Sequence, residues 1–462
     1  MRLLLTICIL VIAWSPALGK PKKKPKPPPT RQVSPHSSHA PENRLQSIED
    51  IRRYRDELEI QGAGVPGPER SEPDQPNALA TVGHDLQKFS EEVASRVDRI
   101  VKRNSFRWMG DPWTLQGLPL ILPTDSNGFH LGLNGLIRNL GRTDPHKLQT
   151  EFTILASDKG RYKHFIKVDA PRAWGSNYRI TTLLNYDRDI ALKYYGITNN
   201  SVVDSNLFKA GYYNFVRAGP TLSLRLLRYL DRYYRVGPVF GLRWLTVSPP
   251  TGSLLATENP VGIAGGRTHY LGLAMVRDTT DYEPYPSRGT TSELQFNVYS
   301  QLLGSDYQFF RGTYIFRHYI TLHQDLIFAH RLLLETLTGT VPFYELDGVG
   351  GESATIHFGG DRYLRGYDAN RFIDNFRFVY GVELRWDPVT FDFAKQELTI
   401  GIVPFFDVGR VWNNLFPLQL LPLHASAGFG LRLIWNGNFI VRGDAALNGE
   451  GVNAYVELGH SF

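Results

Sequence analysis

Arg365 lies in the stretch "GGDRYLRGYDANRF", 359–372, among Asp361, Arg362, Asp368 and Arg371 and within a long run of alternating apolar and polar residues. A guanidinium stays charged at any working pH, and its planar fork can hold a carboxylate through two parallel hydrogen bonds. Two downstream carboxylates stand in segments of period two. Glu383 shares a face with Arg385 in "YGVELRWDP" (380–388), and Asp407 shares one with Phe405 and Gly409 in "PFFDVGRVW" (404–412). If those faces line one interior, Arg365 has acceptors on two neighbouring strands. The chemistry on offer is a clamp. Gly366 frees the turn, Tyr367 packs the tip, and Gly359 and Gly360 let the segment leave its strand. The simpler reading leaves Arg365 as one interior charge among many.

Nothing comparable points to catalysis. No G-x-S-x-G, H-E-x-x-H, Walker or EF-hand motif occurs, and the thirteen histidines are scattered without ligand spacing. "GVGGES" at 348–353 is not followed by a helical pattern, so no nucleotide site is expected there. A hydrolytic Ser–His pair would have to draw on His357 or His424, and nothing singles out either. His164 and His460 fall on lipid-side positions. Cys8 is the one cysteine, and it lies in the leader described next, so no disulfide, thiolate metal site or cysteine nucleophile is expected. The reading is a non-enzymatic chain with no catalytic residue, metal or cofactor.

The elements that would position Arg365 follow from composition and period. Residues 1–19 have Arg2, an apolar core from Leu3 to Trp14, and Ala17 and Gly19 before a cut: a secretory signal peptide. Residues 20–42 form a Lys- and Pro-rich extended linker that holds most of the net charge of +6. The remainder is close to charge balance, which argues against nucleic-acid binding. Residues 43–127 read as a helical region. One apolar stripe runs through Leu45, Ile48, Ile51, Tyr54 and Leu58, another through Leu86, Phe89, Val93, Val97, Ile100 and Val101.

From 128 to 462 the period is two. "SELQFNVY" sets Leu294, Phe296 and Val298 against Glu293, Gln295, Asn297 and Tyr299, and "NAYVELGHSF" does the same near the end. Ionised residues recur on the second face of long successive strands. A water-filled lumen accepts them, and a dry sandwich core does not. About sixteen segments alternate in this way, from 129–137 to 452–462, with 353–359 counted among them. The fold class expected is an all-β transmembrane, antiparallel outer-membrane β-barrel of about sixteen strands, with a lumen-inserted loop and a short helical or disordered region before it.

Four ordered motifs then resemble the BamA/TamA superfamily of outer-membrane assembly and translocation barrels, the bacterial surface antigen family. "GGDRYLRGYDANRF" with "YGVELRWDP" resembles the family's loop with its R-G-F/Y tip. "MVRDTTDYEPYPSRG" (275–289) resembles its D-T-R-D-x-P-x-P-x-x-G turn, with Thr280 in place of arginine. "PFFDVGRVW" resembles the F-x-D-x-G strand and "SAGFGLRL" (426–433) the next one, while Phe462 matches a terminal aromatic barrel signal. The resemblance covers 128–462. It implies that Arg365 is held by Asp407, and that first and last strands meet at a weak seam through which polypeptide is inserted or exported. Gly132 and Gly135 near one edge, and Gly449 and Gly451 near the other, would either ease that opening or serve as ordinary strand and turn glycines.

The family usually carries periplasmic POTRA repeats, and residues 20–127 show no such strand set. The expected function is insertion or export of polypeptide or another envelope component; the alternative is a passive or gated channel. Expected partners are outer-membrane lipid and lipopolysaccharide, an unfolded or secreted client, and the barrel-assembly machinery for the chain's own insertion. The chain is expected to be a monomer in the outer membrane of a Gram-negative bacterium, with its N-terminal region in the periplasm.

Overall fold

The computed structural model describes residues 106–124, 128–141, 146–351, 360–393, 396–413, 421–437 and 439–462. The leader, the Lys/Pro linker and both helical stripes lie outside the described residues. Two short strands, β1 (Phe106–Trp108) and β9 (Gly265–Arg267), accompany sixteen longer ones. The first seven of these are β2 (Asp111–Thr124), β3 (Gly128–Asn139), β4 (Leu148–Ser157), β5 (Tyr162–Ala170), β6 (Tyr178–Lys193), β7 (Asn214–Tyr229) and β8 (Tyr234–Ser248). Then come β10 (Tyr270–Asp278), β11 (Gly289–Tyr299), β12 (Phe309–His323), β13 (Leu326–Gly339) and β14 (Phe376–Phe393). The series ends with β15 (Gln396–Trp412), β16 (His424–Trp435), β17 (Phe439–Asn448) and β18 (Val452–Leu458). Three short helices sit in connections: α1 (Ser205–Lys209), α2 (Leu254–Glu258) and α3 (Phe343–Leu346). Among the described residues no helix is long and apolar enough to cross a membrane.

Every ladder is antiparallel, and the long strands pair with their neighbours in chain order, from β2–β3 to β17–β18. β2 and β18 therefore stand at the two ends of the series. The sheet curls, because inward residues of β3–β6 and of β17–β18 line one cavity.

The burial pattern is that of a soluble protein turned inside out. Leu294, Phe296 and Val298 on β11 are 37%, 43% and 51% exposed, whereas their neighbours Glu293, Gln295 and Asn297 are at most 3% exposed. On β13 the inward row runs Ile327, Ala329, Arg331, Leu333, Glu335 and Leu337, all buried. Apolar residues outside and ion-paired residues inside suit a wall between hydrocarbon and a polar lumen.

One expected assignment is corrected, and one expected strand is not described. Residues 111–124, assigned to the helical region, are β2, so the sheet starts well before 128. Segment 353–359, counted as a strand, lies outside the described residues, and 340–351 and 360–375 on either side belong to the connection between β13 and β14. Among the described residues the long strands number sixteen, β2 included.

That connection fills the interior. Phe343, Tyr344 and Leu346 of α3 pack with Tyr194, Phe215, Leu337 and Ile373. Tyr363, Leu364, Tyr367 and Phe372 pack against Ile315, Leu333, Val379 and Val411 of the wall. The β6–β7 connection covers them: Ile197 bridges Ile373, and Asn199 Oδ1 accepts from Val411 N at 3.1 Å.

Candidate lumen-loop site

The turn that presents Arg365 is held in left-handed backbone at Gly360 (φ 83°), Leu364 (φ 51°) and Gly366 (φ 98°). Leu364 bears this conformation although it is not glycine, and it is fully buried against the wall. The chain doubles back, with Gly360 N donating to Tyr367 O at 3.0 Å. Arg365 is thereby pushed sideways into the strands.

There it is saturated. Its backbone N and its Nε donate to Asp407 Oδ2 at 3.0 and 2.8 Å, its Nη2 to Asp407 Oδ1 at 2.9 Å, and its Nη1 to Glu383 Oε1 at 2.6 Å. The guanidinium carbon lies 3.6 Å from the centroid of the Phe405 ring, a close cation–π contact. Arg365, Glu383 and Asp407 are all at most 1% exposed. The three carry no net compensation from water, so the charges have to balance among themselves.

They balance through residues the sequence reading did not single out. Arg385 Nε donates to Glu383 Oε2 at 2.9 Å. Asp444 on β17 lies 3.7 Å from Arg365 Nη1 and accepts from Arg432 at 2.5 Å and Arg442 at 2.7 Å. Arg442 in turn donates to Asp361 at the start of the same loop, at 2.5 Å. Four arginines thus face four carboxylates. For Arg385, Arg432, Arg442 and Asp444 the only signal in the sequence is an inward position in a strand, shared with many others, while Asp361 lies in the loop itself.

Space is made by missing side chains. A Cβ on Gly430 would lie 2.2 Å from Asp444 Oδ1, and one on Gly428 would lie 2.5 Å from Phe405 Cζ. Gly409, of the expected motif, sits where a Cβ would be 3.1 Å from Phe378 O. Gly359 lies outside the described residues.

The tip touches the last strand as well. Gly366 N donates to Tyr455 Oη at 3.1 Å, Tyr455 Oη donates to Tyr367 O at 3.2 Å, and Asn453 Nδ2 donates to Gly366 O at 2.6 Å. The Tyr367 ring packs edge-on to Phe372 at 5.2 Å, and its hydroxyl donates to Ala425 O at 3.3 Å.

The C-terminal residues depart from expectation. β18 stops at Leu458, and Gly459 (φ 75°) turns the chain inward. His460 is 9% exposed and lies against the Tyr285 ring at 4.9 Å, not on the lipid side. Phe462 also leaves the outer face. Arg385 donates to its carbonyl at 2.5 Å, and the Arg331 guanidinium lies 4.5 Å from its ring. His424 stacks on Phe372 at 3.6 Å with Nε2 at 2.8 Å from Asn199 O, a packing role. His357 is outside the described residues.

The turn of residues 279–288, expected from its motif, makes contacts with β6, β8 and β14. Glu283 accepts both Nη groups of Arg179, at 2.6 and 2.9 Å, and Arg235 at 3.0 Å. Burial pushes the Glu283 carboxyl up, but the two arginines outweigh it and bring it down to about 2. Tyr285 donates to Asp387 across the lumen.

A many-stranded antiparallel sheet with lipid-type residues outside, paired charges inside and a loop pinned in its lumen defines an outer-membrane-type barrel. The model of the Omp85 superfamily domain matches residues 164–442, well over half of the chain, and the chain belongs to the Omp85 superfamily. Barrels of this superfamily reside in the outer membrane of Gram-negative bacteria. Similar solved structures include BamA from Haemophilus ducreyi lacking POTRA domains 1–3, at 14% identity over 76% of this chain and 70% of that one, TM-score 0.47. CdiB from Escherichia coli is another, at 11% identity over 78% of this chain and 69% of that one, TM-score 0.49. No curated protein sequence matches.

Proposed function

We propose that this chain inserts or exports polypeptide through a seam between β2 and β18, and that the clamp on Arg365 sets the state of that seam. The observation that carries this reading is the double attachment of the loop tip. Arg365 is fixed to Asp407 on β15, while the adjacent Gly366 and Tyr367 are hydrogen-bonded to β18 through Tyr455 and Asn453. A tip held on both sides ties the last strand to the wall, so its position and the freedom of β18 are coupled. β18 is also the shortest of the long strands, with seven residues paired to β17. The rival reading, a passive channel, is disfavoured by the apolar packing of Phe343, Tyr344, Tyr363 and Phe372 inside the lumen. In this reading the N-terminal region faces the periplasm, and the client is an unfolded or secreted polypeptide.

Reconstitution into liposomes tests it. Unfolded outer-membrane protein is added, and its folding is scored by protease protection and heat-modifiable gel mobility. Wild type should accelerate client folding, and Arg365→Ala and Asp407→Ala should not. Failure of correctly folded wild type to accelerate any client, with ion conductance that rises in Arg365→Ala, would move the assignment to a channel.

A further inference from the structure

A cavity of about 250 Å³ opens between the inward faces of β3–β5 and those of β17–β18. Its apolar lining is Leu136, Phe439, Ile440 and Leu458. Arg138, the next inward residue of β3 after Leu136, lines it too. It is 3% exposed, and its one hydrogen bond among the described residues runs from Nε to the neutral Gln149 Oε1 at 2.8 Å. Among the described residues no carboxylate forms an ion pair with it, which sets it apart from Arg365, Arg179 and Arg442. Glu151 and Asp169 act on it only from beyond ion-pair distance; a buried guanidinium held so loosely is costly, and its two Nη groups form the edge suited to an oxyanion.

The other charges of the cavity reinforce the point. Asp169 is spent on His146 at 2.8 Å, on both Nε and Nη2 of Arg179, and on Thr181. Glu283 is spent on Arg179 and Arg235. Glu151 is the remaining lining carboxylate, against Arg138, Lys167 and Arg362. Arg362 itself lies 3.7 Å from Asp361 and donates to Leu458 O at 3.4 Å, so the polar side of the cavity is close to charge balance, half of the lining is apolar, and the last strand is near.

We infer that this cavity binds the phosphate group of an amphiphile, with the phosphate on the Arg138 fork and the apolar portion along Leu136 and Phe439. The Arg138 fork can take two phosphate oxygens in parallel, and the apolar lining can take the hydrocarbon of an amphiphile. The phosphate can belong to a lipid headgroup or to a free phosphate ester, and the assay separates the two. The inference stands independently of the insertase reading.

The full chain, purified in neutral detergent, is mixed with phosphatidylglycerol or with diacylglycerol of the same acyl chains, and lipid retention is counted by native mass spectrometry. Wild type should retain phosphatidylglycerol about tenfold better than diacylglycerol, the scale of one charge-assisted contact. Arg138→Gln should fall to the diacylglycerol level, and Glu151→Gln, which removes a carboxylate that competes for Arg138, should retain more than wild type. Displacement by glycerol phosphate at matching concentration identifies a soluble phosphate ester as the ligand, and resistance to it identifies a lipid. Unchanged retention in Arg138→Gln overturns the inference, as does displacement by a short C-terminal peptide but not by glycerol phosphate. Should Arg138→Gln fail to fold, Glu151→Gln decides: increased retention supports the site, and unchanged retention overturns it.

Discussion

Gly381 on β14 faces Asp407 on β15 directly across the ladder, and a Cβ at Gly381 would lie 2.6 Å from Asp407 Oδ1. The carboxylate that holds Arg365 occupies the space a side chain would have taken. Gly381→Ala should therefore displace Asp407 and weaken the clamp without altering any charge. A cost of about 1–3 kcal/mol is expected for such overpacking. It is read as a lower temperature of heat-modified gel mobility, and no shift would show that Asp407 has room to move.

Arg365→Ala leaves Asp407 and Glu383 buried without their principal cation. Breaking a buried pair in this way costs about 3–5 kcal/mol. Arg365→Lys should recover little, because a single ammonium cannot take both oxygens of Asp407 and also reach Glu383. The unfolding midpoints of the two variants in detergent check this; a lysine variant as stable as wild type would show that charge alone suffices.

Tyr455→Phe removes the hydroxyl that joins β18 to both Gly366 and Tyr367. The loss should be about 1–2 kcal/mol, that of one or two buried hydrogen bonds. Its effect should be local. Hydrogen exchange should quicken in residues 452–458 and stay unchanged in 424–435, and a uniform increase would point to general destabilisation.

Glu283 supplies a dependence on pH. Its folded value, about 2, lies below the ordinary 4.5, so its contribution is complete above 4.5 and fades as pH falls towards 2. Wild type should exceed Glu283→Gln in heat stability at neutral pH, and the gap should close progressively on acidification through that window. A gap that persists at pH 2 would mean that the Glu283 contacts do not rest on its charge.

Much of this architecture is legible in the chain's alternation. Leu294, Phe296 and Val298 on one side, with Glu293, Gln295 and Asn297 on the other, already declare which face meets lipid. The carboxylates Glu383 and Asp407 are legible as partners of Arg365 for the same reason. β2 is not legible, and falls within the expected helical region, since Pro112, Pro119, Pro123 and Gly117 interrupt any strand pattern. At the end of the series of ladders it pairs with β3 on one side and only with three-residue β1 on the other, where missing N–H donors are tolerated. His460 is misplaced because a period of two, continued past Leu458, overlooks the left-handed turn at Gly459. Asp444 and Arg442 gain their meaning only from loop residue Asp361 and Arg365, which a strand pattern cannot place in three dimensions.

The inward turn at Gly459 also bears on how the protein can be handled. Phe462 is half-buried, so whatever is joined after it begins beside Arg331 and Arg385. A purification tag at that end must thread back out past Tyr282 and Tyr285 or displace the tail from its arginines. For this barrel, the C-terminal end is part of the filling.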